Sequence, residues 1–342
     1  MIAEPARRGL EAEDPLAPCA GTAEFETVTS EPRSVLITGA SGFVGEHLVR
    51  RFADCPNLYV AYGSAKPRAP ATAAYQVDLA TRASFTRALE GLEVDLVVHA
   101  AALSSPDECE ANPDLARAVN VEGTEEVALW AQSRRARFIY FSTDQVFDGR
   151  KGAYQETDRP CPVNTYGRSK LEAESLVAKH LSDWVVLRLA LSYGATLGAR
   201  ADWTRRMRTA LAEGKTLRLF TDQFRTPAYV EDAAEAVWRL ATGRGAGLYH
   251  LGGAEKLSRY AFGLKIARAF GLPQERLIPV RMEEVPLPAP LVKDGSLVSR
   301  RISEELGLDL CDVSEGLERQ KKQEQELARM ITSKQDAGQG LG

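Results

Sequence analysis

The chain has 342 residues, of which 44% are hydrophobic and 26% are charged, and its formal net charge is −4. This composition is ordinary for a globular protein, and the charge argues against the broad basic surface that nucleic-acid binding requires. The five cysteines are scattered and, like the four histidines, show no metal-ligand spacing, so we expect neither a metal site nor a disulfide framework.

The first 32 residues are rich in Ala, Glu, Pro and Thr without periodicity, which predicts a disordered tail. They contain no apolar segment of the kind that a secretory signal needs. No apolar run in the chain is long enough to cross a bilayer, so we expect no membrane association. Cysteines without a disulfide pattern are typical of a reducing compartment, and the expected location is therefore cytoplasmic.

The first strong pattern is a glycine-rich loop between a strand and a helix. Residues 34–38 form a short apolar run, and an amphipathic helix pattern follows from Val44. Between them, Gly39 permits a tight turn, Gly42 permits backbone amides to approach a pyrophosphate, and Gly45 permits close helix packing. Because the helix N-terminus then faces the phosphates, the loop predicts a dinucleotide site. A flexible loop is the alternative.

The second strand, residues 58–62, bears on the choice of cofactor. An NAD site usually ends this strand with an acidic residue that binds the ribose 2′-hydroxyl. Here Gly63 and Ser64 follow instead, with Lys66 and Arg68 close behind. The missing acid and the nearby cations favour the 2′-phosphate of NADP(H) over NAD(H), which remains the alternative. A solvated loop would also explain both cations.

The next segments predict two more strands and a long helix. A third strand ends at Asp78, a helix covers 81–89, and a fourth strand covers 94–99. Three small residues, 100–102, follow the fourth strand and would let the backbone pass close to a flat ligand. A helix is predicted over 113–132, with Asn112 as its cap. Asn120 lies inside it, where an exposed polar residue is the simplest explanation.

The central stretch combines a strand end with a Tyr–Lys pair. Ser142, Thr143 and Asp144 follow the fifth strand at the carboxyl edge, where doubly wound sheets bind ligands. A loop leads to Tyr166, and Lys170 would lie on the same helical face. A neighbouring ammonium lowers the pKa of a phenol, which predicts proton transfer by Tyr166.

The spacing of Tyr166 and Lys170 does not decide the matter by itself. A second pair with the same spacing, Tyr62 and Lys66, falls in a predicted loop next to Gly63 and Pro67. The support for Tyr166 must therefore come from the surrounding chain.

The alternation of strands and helices continues through a sixth strand, 184–189, and a last strand, 248–251. We predict an α/β chain with a Rossmann-type doubly wound parallel sheet. Residues 33–190 would form the dinucleotide-binding domain, to which 226–255 return. Residues 191–225 and 256–312 would form a smaller C-terminal α/β lobe for substrate. A charged helix and tail, 313–342, is expected to be solvated, with a docking tail as the alternative.

Taken in order, these motifs resemble the extended short-chain dehydrogenase/reductases. They are most similar to the dTDP-4-dehydrorhamnose reductase branch and its non-catalytic relative, the β regulatory subunit of methionine adenosyltransferase. The resemblance covers about residues 33–312. It rests on the following segments of this chain: Thr38 to Gly45, Asp78-Leu79, His99 to Ala102, Val119-Asn120, Ser142 to Gly149, Pro162 to Glu174 and Arg225-Thr226-Pro227.

The resemblance implies roles for these residues. Tyr166 would donate a proton, Lys170 would hold the nicotinamide ribose, Thr143 would bind the substrate oxygen, and Asn120 would support Lys170 through water. The remaining implied contacts fall into two groups. Cofactor contacts would come from Gly39, Ser41, Gly42, Phe43, Val44, Gly45, Lys66, Arg68, Asp78, Leu79, Ala100, Ala101, Ala102, Tyr166 and Lys170. Substrate contacts would come from Ser104, Thr143, Asp144, Gln145, Leu191 and Arg225.

The role of Arg225 has two possible interpretations. By analogy with sugar-nucleotide enzymes it would meet a diphosphate. The alternative is a structural ion pair with Glu231 or Asp232.

Two departures from the family pattern lie in the implied substrate wall. The rhamnose-pathway reductases carry a Trp where this chain has Leu191, and commonly an aromatic residue at Gln145. Reduction of dTDP-4-dehydrorhamnose itself is therefore in doubt. Sugar 4,6-dehydratases place a Glu at the position of Gln145, which argues against dehydration.

The leading hypothesis is an NADP(H)-dependent reductase of a keto-sugar nucleotide, acting as a homodimer. The alternatives are a regulatory subunit that binds cofactor without turnover and, less favoured, a sugar-nucleotide epimerase.

Overall fold

The computed structural model describes residues 31–197, 202–243 and 245–339, with side chains described through Arg329. Most of the predicted N-terminal tail therefore lies outside the described residues. The strands are β1 (Ser34–Thr38), β2 (Asn57–Tyr62), β3 (Ala73–Gln76), β4 (Leu96–His99), β5 (Arg137–Thr143), β6 (Trp184–Leu189), β7 (Ser192–Tyr193), β8 (Leu217–Phe220), β9 (Phe224–Arg225), β10 (Ala228–Tyr229), β11 (Gly247–Leu251), β12 (Leu257–Ser258) and β13 (Leu277–Val280).

The helices divide the chain at similar intervals. They are α1 (Phe43–Arg51), α2 (Ser84–Ala88), α3 (Pro106–Ala111), α4 (Pro113–Arg117), α5 (Gly123–Ser133), α6 (Thr165–His180), α7 (Trp203–Ala212), α8 (Val230–Thr242), α9 (Arg259–Ala269), α10 (Arg300–Leu306) and α11 (Val313–Gln339). A π-helical turn, Ala118–Glu122, joins α4 to α5, and short 3-10 turns cover Asp144–Val146, Gln274–Arg276 and Met282–Glu284. None of the described helices is both long and apolar enough to span a bilayer.

Seven strands form one sheet in the order β11-β6-β5-β4-β1-β2-β3, and every neighbouring pair is parallel. The order reverses between β1 and β4, which is the doubly wound arrangement with its ligand crevice at the carboxyl ends of the strands. The predicted Rossmann-type fold class is thus confirmed.

Helices cover both faces of the sheet, and this explains why its strands are apolar runs without alternation. One face packs against α1, α8 and α10, through residues such as Phe52, Val237 and Ile302. The other face packs against α2, α5 and α6, through residues such as Phe85, Val127 and Val177. Burial on both sides fixes the sheet as a rigid support for the loops at its edge.

The smaller lobe has a separate core built from α7, α9, the short strands and the start of α11. Tyr193, Met207 and Phe262 pack there with Val313 and Leu317. The predicted charged helix is therefore part of the lobe's core over its first turns rather than fully solvated. Farther along α11, Glu324 pairs with Arg208 of α7 at 2.8 Å.

The predicted helix over 113–132 is not continuous, because the π-helical turn interrupts it. A π turn inserts an extra residue into the helix and is frequent at functional sites. Here it carries Asn120, which is fully buried rather than exposed. The predicted position of Asn112 as the N-cap, with Pro113 in the first turn, is confirmed for α4, although the Asn112 side chain makes no capping bond and instead donates to the Glu108 carbonyl at 3.3 Å.

Candidate active site

The glycine loop between β1 and α1 forms a tight cradle at the carboxyl edge of the sheet. Gly39 has a φ of +65°, and a Cβ on it would lie 2.6 Å from the Ala101 amide nitrogen. A Cβ on Gly45 would lie 2.1 Å from the Gly39 carbonyl oxygen. Side chains at either position would force the backbone apart. The loop, the start of α1 and the small residues after β4 therefore meet at one place, which fits a dinucleotide.

The predicted 2′-phosphate residues lie on the loop after β2. Lys66 and Arg68 are both exposed, and within the described residues neither side chain has an ion-pair partner. The Arg68 amide donates to the buried carboxylate of Glu46 at 3.1 Å, which fixes this loop against the first turn of α1. Two unpaired cations beside the glycine cradle suit a phosphate monoester.

The double substitution Lys66→Ala and Arg68→Ala is expected to raise the Kd for NADPH by ~10- to 100-fold, because it removes two charge-assisted contacts. The Kd for NADH should change less than about twofold, since NADH has no 2′-phosphate. Titration by intrinsic fluorescence measures both constants. Lys179→Ala, an exposed lysine in the last turn of α6, is the matched control. Equal weakening of NADPH and NADH would contradict the assignment.

Asp78 and Leu79 follow β3 and lie farther along the same edge. The Asp78 carboxylate accepts from the Ala80 amide at 3.0 Å and from the Thr81 hydroxyl at 2.8 Å, so it shapes the turn after the strand. Leu79 packs against Gly123, where an added Cβ would lie 2.9 Å from the Leu79 carbonyl oxygen. The turn is thereby held against α5.

Thr143 ends β5 and is buried at the centre of the site. Its hydroxyl donates to Asp144 at 3.1 Å and accepts from the Gln145 amide at 3.2 Å. It also lies close enough to Tyr166 to oppose the effect of burial on the pKa of the phenol. The structure therefore brings Thr143 and Tyr166 together, as the motifs predict.

Tyr166 and Lys170 lie one turn apart on α6, and both are buried. The start of α6 is fixed by its N-cap, Asn164, whose side chain accepts from the Gly167 amide at 2.8 Å. The Lys170 Nζ lies 4.2 Å from the centre of the Tyr140 ring. That contact keeps the ammonium on the inner side of α6.

The pKa shifts of Tyr166 and Lys170 differ from those expected from their spacing. Burial raises the pKa of Tyr166 well above its ordinary value, and Lys170 is not among the groups that act on it. The prediction that Lys170 lowers the pKa of Tyr166 is therefore wrong for this arrangement. Burial also lowers the pKa of Lys170 to about 7, although the nearby Glu174 carboxylate opposes this shift. Spacing shows which side chains share a face, but not how far they are desolvated.

Asn120 ties the segment after β4 to α6. Its Oδ1 accepts from the Leu103 amide at 2.8 Å, and its Nδ2 donates to the Leu103 carbonyl and to the Ser169 hydroxyl, both at 3.0 Å. Ser169 lies directly before Lys170, so Asn120 positions the helix next to the lysine. Ser104 follows Leu103, with its side chain exposed.

Arg225 pairs with a different carboxylate from those predicted. Its Nε lies 2.9 Å from Asp144 Oδ2, and both side chains are buried. Glu231 instead bonds His47 at 2.7 Å, and Asp232 accepts from the Cys311 amide at 3.0 Å, so the predicted ion pair with either residue is wrong. Burial raises the pKa of Asp144, while the Arg225 charge opposes the shift.

Gln145 lies between Thr143 and the start of α6, and its amide has a defined orientation. Asn164 Nδ2 donates to Gln145 Oε1 at 2.9 Å and to the Pro290 carbonyl at 3.0 Å. Because Asn164 Oδ1 already accepts from Gly167, its other end must be the donor. Gln145 therefore turns its oxygen toward Asn164, and its Nε2, which has no hydrogen-bond partner among the described residues, is the polar end left for a ligand. Leu191, by contrast, packs against the core of the smaller lobe.

The sequence matches the family model described as RmlD substrate binding domain over residues 33–325. The chain belongs to this family. The resemblance found in the motifs is thus confirmed.

Relatives of this RmlD-family chain include both reductases and a regulatory subunit by name. The probable low-salt glycan biosynthesis reductase Agl14 of Haloferax volcanii is 33% identical, over 79% of this chain and 91% of that protein. Methionine adenosyltransferase 2 subunit beta of Xenopus laevis is 31% identical, over 76% and 79%. The crystal structure of dTDP-4-dehydrorhamnose reductase from Bacillus anthracis in complex with NADP has a TM-score of 0.76 at 25% identity, covering 85% and 99%.

The sequence of this RmlD-family chain did not predict a buried ion pair between Glu174 and Arg188, which lies one helical turn from Lys170. Glu174, one turn after Lys170, contacts Arg188 of β6 at 2.6 Å and 2.9 Å and accepts a hydrogen bond from Ser142. Both members of the pair are almost completely buried. The available signal was a charged residue inside an apolar strand, since Arg188 interrupts the run 184–189 and requires a partner.

Proposed function

We propose that this chain is an NADP(H)-dependent reductase of a keto-sugar nucleotide, in which Tyr166 protonates the oxygen of the reacting ketone. The observation that carries the proposal is the buried Tyr166 phenol next to the Thr143 hydroxyl at the ligand edge of the sheet. Lys170 lies one helical turn away, and the glycine cradle lies at the same edge. The names of the Haloferax and Bacillus relatives support the same reaction class.

The residues of the cradle would hold the cofactor. The backbone of Gly39, Ser41, Gly42 and Phe43 to Gly45 would face the pyrophosphate, and Ala100 to Ala102 would pass along the nicotinamide half. Asp78 and Leu79 would flank the adenine, while Lys66 and Arg68 would bind the 2′-phosphate. A bound nicotinamide would supply the hydride, whereas the protein supplies position and charge.

The protonation state of Tyr166 suits the reducing direction. Because burial raises its pKa, the phenol keeps its proton at neutral pH and begins the reaction as an acid. Thr143 lies next to this hydroxyl and would orient it toward the substrate oxygen. Lys170, one helical turn further on, would in its charged form hold the nicotinamide ribose.

The charge on Lys170 predicts a pH dependence. The pKa of Lys170 is lowered to about 7, so the ammonium is present below that pH and is lost as the pH rises through it. We therefore expect kcat/KM for reduction to fall about tenfold per pH unit on the alkaline side. Lys170→Arg should keep some activity and remove this limb from the measured range, because a guanidinium stays charged. An unchanged limb in Lys170→Arg would assign the titration to another group.

Gln145 indicates what the substrate offers near the ketone. Its free Nε2 is a hydrogen-bond donor, so it would bind an acceptor oxygen, and it cannot serve as a base. This disfavours dehydration and, for the same reason, an epimerase that would need a second acid–base group at this position. Oxidation of NADPH with a panel of keto-sugar nucleotides tests the proposal directly, and no turnover with any member would overturn it.

The second candidate is a regulatory subunit that binds cofactor without turnover. It is favoured by the relatives named methionine adenosyltransferase 2 subunit beta, which are as similar to this chain as the reductases are. The two candidates differ in how a partner enzyme would respond to Tyr166→Phe. A reductase loses activity, whereas a subunit that acts only by docking keeps its effect on the partner.

A further inference from the structure

Arg259 occupies an unusual position beside the candidate active site. It begins α9 directly after β12, which pairs with β9 so that Leu257 faces Arg225 and Ser258 faces Phe224. The Arg259 amide donates to the Gln223 carbonyl at 2.9 Å, which fixes the start of the helix. Two arginines are thereby placed next to each other, and only one of them has a carboxylate.

The Arg259 guanidinium lies over an aromatic ring. Its Cζ lies 4.0 Å from the centre of the Trp203 ring, and Trp203 in turn stacks on the buried Phe262. This contact restricts the Arg259 side chain, so it loses less conformational freedom when it binds a ligand.

The local charges do not balance. Asp144 pairs with Arg225 at 2.9 Å, whereas within the described residues Arg259 and the exposed Arg206 of α7 have no carboxylate within ion-pair distance. These four side chains interact electrostatically and carry two positive charges in excess. Burial and, after it, the charge of Arg225 lower the pKa of Arg259 to about 9, while the Asp144 carboxylate opposes this shift.

We infer that Arg259, supported by Arg206, forms an anion seat for the diphosphate of a nucleotide-linked substrate. A diphosphate carries the charge that this cluster lacks, and a guanidinium edge matches phosphate oxygens in pairs. Asp144 interacts with Arg259 and directly follows Thr143, so the seat adjoins the reacting group. The inference deepens the proposed function and rests on it, because it assigns the substrate's recognition handle to a residue that the motifs did not indicate.

Binding rather than turnover provides the test. The protein is first saturated with NADPH, so that the glycine cradle is filled, and is then titrated calorimetrically with uridine diphosphate, thymidine diphosphate and uridine. For Arg259→Gln we expect a ~10- to 100-fold weaker Kd for both diphosphates, from the loss of a charge-assisted pair of hydrogen bonds. Binding of uridine should be unchanged, since it has no phosphate.

Two variants control the experiment. Arg268→Gln removes an exposed arginine from the same helix, α9, and should leave the diphosphate Kd within about twofold. Arg259→Lys keeps the charge and the fold but loses the paired geometry, so it should bind diphosphate more weakly than the wild type even if Arg259→Gln fails to fold. Wild-type affinity for diphosphate in both Arg259 variants would overturn the seat.

The outcome separates the seat from the reductase proposal. If diphosphate binding depends on Arg259 but no keto-sugar nucleotide is reduced, the proposed diphosphate site is supported and the proposed reductase activity is contradicted. If keto-sugar nucleotides are reduced and Arg259→Gln does not change their KM, the proposed reductase activity is supported and the proposed diphosphate site is contradicted.

Discussion

Replacement of Tyr166 by Phe is expected to lower kcat for ketone reduction by ~10²- to 10⁴-fold, which is the usual contribution of a positioned general acid. Tyr166 is the buried tyrosine that lies next to Thr143 at the ligand edge of the sheet. The substitution removes the proton and leaves the ring that packs with Cys109 and Ala116. The Kd for NADPH should therefore stay within about twofold, because the cradle is untouched.

A second tyrosine provides the matched control for this experiment. Tyr154 is also buried, and its hydroxyl donates to Asp148 at 2.6 Å, in a cluster with Phe147. Tyr154→Phe should lower the free energy of unfolding by about 1–2 kcal/mol and leave kcat nearly unchanged. Steady-state reduction gives kcat, and single-turnover reduction with saturating NADPH gives the rate constant of the chemical step without product release. If the two variants lose activity equally, the loss reflects structure and Tyr166 is not the acid.

The sheet and the cradle could be predicted because their causes are local in sequence. Strands buried on both faces must be apolar throughout, so β1 and β6 were predicted with their observed bounds. Gly45 is required by a contact with the Gly39 carbonyl within its own loop, and the positive φ of +65° at Gly39 is likewise a local requirement of the turn. The spacing of Tyr166 and Lys170 likewise fixes one helical face, whatever the rest of the chain does.

What could not be predicted depends on which distant segments meet. Asp144 was available to Arg225 only because β9 lies beside the end of β5, whereas sequence proximity suggested Glu231 or Asp232. The burial of Asn120 follows from a π turn that helical periodicity does not reveal. The direction of the pKa shift of Tyr166 depends on desolvation by the packed site, and no spacing rule contains that information.

Glu174→Gln is expected to have the largest effect on stability, lowering the free energy of unfolding by ~3–5 kcal/mol. The substitution leaves the Arg188 guanidinium buried without a carboxylate and weakens the hydrogen bond from Ser142. Urea denaturation followed by circular dichroism measures the loss. Glu172→Gln is the matched control on the same helix, because Glu172 pairs with Arg117 at 3.0 Å on an exposed surface and should cost less than about 1 kcal/mol.

The same substitution should also move the pH profile, which a purely structural role would not do. Glu174 is the carboxylate that favours the charged form of Lys170, so its neutralisation lowers the pKa of Lys170 further below about 7. The alkaline limb of kcat/KM is therefore expected at lower pH in Glu174→Gln.

The double variant Glu174→Gln and Arg188→Met removes the unpaired charge and should recover much of the lost stability, because replacing both members of a buried pair is often neutral. Its pH limb should stay displaced if Glu174 acts on Lys170 through charge. A limb that returns to the wild-type position together with stability would show that Glu174 only supports the packing of β6 and α6.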